Sequence, residues 1–166
     1  NTAVGRASLQ VNTTGVENVA VGSSSLQANT TGYDNTSVGT YSMMQNTTGY
    51  NNTALGLSTL NNNTTGAENT AIGFQSLDSN DTGNFNTAIG NTALQANVSG
   101  SNNIALGNRS LYYNVSGSYN TAVGTSDEGA STLNQFKSLE NLSYTTGLGA
   151  FAQVYQNNVL SLGGQG

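Results

Sequence analysis

The 166-residue chain contains no cysteine and no histidine, and only 7% of its residues are charged. Without cysteine there is no disulfide framework and no thiolate metal site, a composition that suits an extracellular rod that must not cross-link wrongly. Without histidine, no imidazole can act as base or metal ligand, and Ser-His-Asp and Cys-His nucleophiles are excluded. Basic residues are limited to Arg6, Arg109 and Lys137 against a net charge of −5. Phosphate recognition needs clustered Lys and Arg, so nucleic acid is not an expected partner. No apolar run approaches a membrane span, so membrane insertion is not expected either.

Hydrophobic residues make up 35% of the chain, below the roughly 45–50% of ordinary globular domains. The polarity comes from Asn, Thr, Ser and Gln in fixed register, which argues for an ordered polar rod over a disordered segment. Asn1-Thr-Ala-Val-Gly5 recurs at Asn18, Asn35, Asn52, Asn69, Asn86, Asn103 and Asn120, always 17 residues on. Seven complete units fill residues 1–119. Such a period signals stacked supersecondary units that bury surface against one another. The chain starts in mid-pattern, as a piece of a longer product would.

Fifteen of the 21 glycines occupy two columns, Gly5 to Gly124 and Gly15 to Gly117. They predict two tight turns per unit, with positive φ or close backbone approach. The segments between them are four to six residues long, and their Thr, Val and Ile content predicts strands, two per coil. Coils stacked in parallel about 4.8 Å apart make seven of them a rod of roughly 34 Å. Within each unit the third position is small (Ala3, Ala20, Ser37), the fourth branched (Val4, Val21, Val38) and the ninth Leu or Met (Leu9, Leu26, Met43). Alternation turns positions 3 and 4 opposite ways. The branched and Leu columns are expected to meet inside, leaving the Ala column as a close-packed outer face for partner chains. Asn fills positions 1 and 12 in every unit. Stacked amide ladders would explain both columns. Position 12 also spells an N-x-[ST] sequon in all seven units, from Asn12 to Asn114, which a repeating N-T-T turn creates automatically.

After Gly124 the beat fails. Residues 125–142 hold Asp127, Glu128, Lys137 and Glu140, with Leu133, Phe136, Leu139 and Leu142 every three residues and Ser131 as a possible cap. A short helix or an inserted loop fits this stretch. Order returns over 143–166, where Leu148-Gly149 and Leu162-Gly163 lie 14 apart. The expected organisation is therefore 1–124, 125–142 and 143–166.

The terminal stretch Ser143-Tyr-Thr-Thr-Gly-Leu-Gly-Ala-Phe-Ala-Gln-Val154, followed by Asn157-Asn-Val-Leu-Ser-Leu-Gly163, resembles the head repeat of trimeric autotransporter adhesins of the YadA type. The N-T-A-[VIL]-G core of the longer units resembles the same inner strand with a longer outer turn, and also units of phage tail fibres and fibres of large viruses. The resemblance implies an all-β parallel β-roll or solenoid of 17-residue coils, assembled side by side as a homotrimer. It further implies an extracellular fibre, on a cell surface or a virion, that attaches to a host glycan or protein receptor.

No catalytic, cofactor or metal site is expected. Glu17 and Asp34 share a column on adjacent coils, with Glu68 further along, but a repeat stacks such acids without any catalytic purpose. Aromatic exceptions to the repeat are the candidate receptor contacts: Tyr33 and Tyr50 at one turn position, Tyr112 and Tyr113 on another coil, together with Asp127 and Glu128 in the break. Exposed Tyr can stack on sugars or anchor a protein contact, and can equally cover turn backbone or pack between chains. A competing reading is an ice-binding solenoid built on Thr13-Thr14, Thr30-Thr31, Thr47-Thr48 and Thr64-Thr65. That array decays at Asp81-Thr82, Val98-Ser99 and Val115-Ser116.

Overall fold

The computed structural model describes residues 1–125, 142–149 and 156–162. The element expected within 125–142 therefore lies outside the described residues apart from its two ends, as does much of the terminal coil. Ten three-residue strands form one parallel sheet in sequence order: β1 (Thr2–Val4), β2 (Val19–Val21), β3 (Thr36–Val38), β4 (Thr53–Leu55), β5 (Thr70–Ile72), β6 (Thr87–Ile89), β7 (Ile104–Leu106), β8 (Thr121–Val123), β9 (Thr146–Leu148) and β10 (Leu160–Leu162). The chain is thus an all-β solenoid. Equivalent positions pair without slip, Thr36 with Thr53 and Thr53 with Thr70. Thr121 then pairs with Thr146, and Thr146 with Leu160. The coil carrying the break is therefore 25 residues long and the next one 14, yet both return to the same sheet.

Each coil holds one strand, where the sequence predicts two. In the second segment, positions 7 and 9 sit in the left-handed region, for example Ser24 at φ 57° and Leu26 at φ 49°. Residues alternating in and out of that region cannot run as an extended strand. Backbone bonding between coils persists there all the same: Leu26 N–H donates to Ser42 O at 3.1 Å and Ala28 N–H to Met44 O at 3.0 Å. At the sheet the N–H groups alternate along the axis, Thr36 N–H donating forward to Asn52 O and Gly39 N–H back to Val21 O, both at 2.8 Å. Every coil is tied to both neighbours.

The expected orientation of the two apolar columns is reversed. Ala20, Ala54, Ala71, Ala88 and Ala105 are fully buried, whereas Val4, Leu55, Ile89 and Val123 stand exposed. The Ala column faces the lumen, opposite Leu26, Met43, Leu60, Leu77, Leu94 and Leu111, all with no exposed surface. The reason lies two residues earlier. Asn at position 1 shares the inward face with position 3, and its amide must point inward to reach the carbonyl of the glycine turn, as Asn35 reaches Gly49 O. A lumen holding one Leu per coil and a row of amides leaves room only for Ala or Ser beside them. Where Ser37 replaces Ala, its Oγ accepts a hydrogen bond from Ser25 Oγ at 2.8 Å and donates to Ser42 O at 2.9 Å.

Two asparagine ladders run through the interior. At position 12, the Asn46 amide donates to Asn29 Oδ1 at 2.8 Å and to Gly49 O at 3.0 Å. At position 1, the Asn35 amide donates to Asn18 Oδ1 at 3.0 Å and to the same Gly49 O at 2.8 Å. Each glycine carbonyl of that column thus receives one amide from each ladder. The position-15 column must be glycine for space: a Cβ on Gly66 would lie 2.6 Å from Gly83 O and against the Asn63 side chain. The position-5 column is glycine for conformation as well, Gly73 having φ +128° with a Cβ position 2.5 Å from Gly90 O.

Removing one ladder amide leaves the amide oxygen of one neighbour and an amide hydrogen of the other without partners and takes one of two donors from the glycine carbonyl, and each unsatisfied buried group costs roughly 1–3 kcal/mol. Asn63→Ala is expected to lower unfolding stability by about 3 kcal/mol or more. Asn62→Ala, at the exposed neighbouring position, should stay within about 0.5 kcal/mol. Denaturant unfolding of the two variants provides the comparison, and equal losses would refute the ladder as the main internal tie.

Candidate functional site

The seven sequon asparagines are the position-12 ladder. From Asn29 to Asn114 they are buried, and both amide hydrogens of each are engaged, as with Asn63 donating to Asn46 Oδ1 at 2.7 Å and to Gly66 O at 2.9 Å. A glycan on any of these nitrogens would replace one of those hydrogens and need space the lumen lacks. The folded chain is therefore expected to be refused by an oligosaccharyltransferase that modifies the same sequons in the denatured chain. Intact-mass measurement of the two reactions checks this, and glycan on the folded form at Asn46 or Asn63 would contradict it.

The threonine pairs differ within each pair. Thr13, Thr30 and Thr47 turn their hydroxyls along the stack, donating to the carbonyls of Thr30, Thr47 and Thr64 at 2.9–3.0 Å. Thr64 directs its hydroxyl at the Asp81 carboxylate. The second residue of each pair, Thr14, Thr31, Thr48 and Thr65, is exposed, whereas Thr30, Thr47 and Thr64 are half-buried and Thr13 alone of the first residues is exposed, so beyond the first coil the double array reduces to a single outer rank.

Of the expected aromatic contacts, Tyr33 and Tyr50 stack with centroids 4.9 Å apart and planes 6° from parallel. The spacing equals the coil rise, so the rings lie one above the other along the axis and half cover one another's faces. Laterally they present edges. Tyr112 and Tyr113 meet edge to face at 4.7 Å, and the Arg109 guanidinium lies 4.6 Å from the centre of the Tyr112 ring, an attractive cation–π arrangement. The two pairs are not brought together. They occupy different positions of the unit, and Tyr50 and Tyr112 are four coils or roughly 19 Å apart along the axis. Asp127 and Glu128 lie outside the described residues.

A third pair escaped sequence reasoning. Tyr119 and Tyr144 stack at 4.8 Å and 4°, 50% and 59% exposed. They are 25 residues apart, so a search at period 17 does not pair them. The signal that could have done so is the match of Ser118-Tyr-Asn-Thr121 with Ser143-Tyr-Thr-Thr146. Structure confirms that alignment: Thr145 N–H donates to Asn120 Oδ1 at 3.1 Å, the bond that each Asn of position 1 makes to the coil before it.

Acidic groups separate into two kinds. Glu17, Asp34 and Glu68 stand exposed at position 17. Asp78 is half buried, and loss of hydration pushes its carboxyl above the usual range, partly opposed by a hydrogen bond from Asn61. Among the described residues there is no cluster of three or more acidic side chains placed to hold a metal ion. A shallow open groove lined by Val11, Gln27, Ala28, Met44 and Gln45 carries no charge.

Among the described residues, the sheet bears an exposed apolar face. Its outer face presents positions 2 and 4, a column of mainly Thr beside an unbroken column of Val, Leu and Ile across all ten strands. Eight of the eighteen exposed large apolar side chains among the described residues lie in those two columns, Leu55 at 48% and Leu148 at 40% among them. None of the described charges does. These observations define the class: a β-solenoid repeat protein with a polar lumen and an uncharged, aliphatic outer sheet face. Comparison with protein-family models, with curated proteins and with solved structures finds no match.

A carboxyl whose folded pKa lies above its unfolded value destabilises the fold where it is ionised and ceases to do so once protonated in both states. Stability attributable to Asp78 is therefore fully present below the unfolded value near 3.8 and is lost as pH rises through the higher folded value. Asp78→Asn should raise the thermal midpoint at pH 7 and leave it unchanged at pH 3. An equal shift at both pH values would remove the carboxyl's charge as the cause.

Proposed function

We propose that this chain is the rod segment of an extracellular homotrimeric fibre, adhesin-like or tail-fibre-like, whose copies lie side by side through the outer sheet face. Attachment to a host glycan or protein receptor is then the task of the residues that break the repeat. The observation that carries this reading is the aliphatic column of position 4 beside the mainly Thr column of position 2. Contiguous exposed apolar surface on a soluble protein marks a contact with another molecule. A contact that runs the full length of a straight rod, one branched side chain per coil, fits a partner with the same repeat spacing. A second copy of the chain has that spacing by construction.

The seam differs from the one expected from the sequence, where the Ala column was to face the partner. With Ala buried in the lumen, the branched column takes that role. It supplies what the interior lacks: one Leu or Met per coil is a thin core, and burial between chains would add roughly 25 cal/mol for each Å² of apolar surface covered. The resemblance of the terminal stretch to adhesin head repeats points the same way. The Tyr33–Tyr50 and Tyr112–Tyr113 pairs remain the proposed receptor contacts, the edge-on Tyr33–Tyr50 stack favouring a protein surface over a sugar.

Sedimentation equilibrium at micromolar concentration is expected to give three times the chain mass for the unmodified protein. Leu55→Thr combined with Ile89→Thr retains strand preference while removing aliphatic surface from the middle of the seam. It should shift the mass towards one chain with an unchanged far-ultraviolet circular dichroism spectrum. A single-chain mass for the unmodified protein would end the trimer proposal.

A further inference from the structure

Position 17 immediately precedes each inward Asn and stands at the margin of the sheet face. Its backbone is left-handed in every coil, from φ 54° at Asp34 to φ 61° at Tyr119. Asn and Asp are the side chains that tolerate this conformation best, after Gly. Asn51, Asn102 and Asn158 meet that local demand. Phe85, Tyr119 and Tyr144 do not. They are bulky, left-handed at φ 57°, 61° and 59°, and 52%, 50% and 59% exposed. Neither the turn nor the lumen calls for an aromatic ring there.

Their distribution is one-sided along the axis. In the first four coils the same column reads Glu17, Asp34, Asn51 and Glu68, and the aromatics begin only at Phe85. The sheet face changes in the same direction. Position 4 is Val in the first three coils and mostly Leu or Ile afterwards, while position 2 becomes apolar and exposed at Ile104 and Leu160. The seam is thus narrow, lightly apolar and acid-edged towards Asn1, and broad, aliphatic and aromatic-edged towards Leu162.

We propose that the contact between copies of this chain is polarised, with Phe85, Tyr119 and Tyr144 forming an aromatic margin that anchors association in the half nearer β10. This rests on the side-by-side reading above. Area favours it. Ten strands at about 4.8 Å and two outward columns, each occupying about 7 Å of width, give a seam of roughly 650 Å² per chain, short of the roughly 800 Å² per partner of a stable interface. A third column in the later coils moves the total towards that figure. Charge favours it too. Copies related by rotation about an axis parallel to the rod keep equal heights, so Glu17, Asp34 and Glu68 gather with their own kind. The aromatic half meets no such repulsion. A sugar is the poorer occupant, because Tyr119 and Tyr144 are 4° from parallel at the coil spacing and turn edges sideways, where a sugar ring would need faces.

The test exploits the left-handed backbone. Replacing Phe85, Tyr119 and Tyr144 together by Asn puts a better-tolerated residue at each position, so the dissociated chain should melt at the same temperature or higher. Association measured by sedimentation equilibrium should weaken at least roughly tenfold. The matched variant with Glu17, Asp34 and Glu68 changed to Asn should associate as tightly as the unmodified chain, or more tightly in low salt. If the aromatic variant associates with unchanged strength while Leu55→Thr with Ile89→Thr dissociates, the side-by-side reading stands and the polarised anchor falls. A single-chain mass for the unmodified protein removes both. Glycan-array binding that disappears in the aromatic variant, with association unchanged, would assign the margin to a sugar and overturn the proposal.

Discussion

The carbonyl oxygen of each position-15 glycine is the point on which this solenoid depends. Gly49 O takes the Asn35 amide at 2.8 Å and the Asn46 amide at 3.0 Å, binding both ladders to the turn in every coil. The two amides that meet there occupy part of the interior beside each turn, and that limits what else fits. One Leu per coil lies across from Ala, glycine alone allows the turn carbonyls of successive coils to come together, and position 4 is sent outward because position 3 must point in. Hydrogen bonds to a neutral amide contribute modestly when made and cost much more when left unmade in a dry interior. A lumen lined this way tolerates little variation, which is why the two Asn columns have no exception through the 17-residue coils, from Asn1 to Asn120 and from Asn12 to Asn114.

This arrangement inverts the usual disposition of a small protein. Polar amides and hydroxyls fill much of the interior while aliphatic side chains stand on the outer sheet. Burial of Asn along the ladders is acceptable because an amide finds two acceptors, the Asn oxygen of the coil before and a glycine carbonyl of its own coil, and the hydroxyls of Ser25, Ser37, Ser76 and Ser110 reach backbone carbonyls, as Ser76 does Ala88 O at 2.8 Å. Among the described residues, the outer aliphatics Val4, Leu55, Ile89 and Val123 stay exposed. The proposed fibre and its polarised seam both follow from that imbalance. Receptor contact would then fall to surfaces outside the seam, where Tyr33, Tyr50, Tyr112 and Tyr113 stand.

Much of the fold was legible because the repeat registers residue against residue. Seventeen-residue spacing placed Thr36 beside Thr53 before any coordinates, and the Gly columns marked both turns. Local residue identity misled at three places. Ser, Thr and Gln at positions 7–10 resemble a second strand, and only the left-handed φ of Ser24 and Leu26 prevents one. Val and Leu are ordinarily interior residues, so position 4 read as core. Tyr119 and Tyr144 became neighbours only once the 25-residue coil closed. The candidate contacts were legible as departures from the repeat, but their geometry was not: the stacking of Tyr33 on Tyr50 depends on side-chain torsions that spacing does not specify.

By itself the sequence determined the solenoid, its parallel register and the two ladders, because an invariant column at a constant period leaves stacked coils few ways to bond. It also determined that strand positions 3 and 4 face opposite ways. Which of the two faces inward was decided only in three dimensions. The Asn at position 1 reaches the glycine carbonyl of its own coil fourteen residues on, as Asn69 reaches Gly83 O at 2.9 Å, and that closure turns the Ala column in and the aliphatic column out.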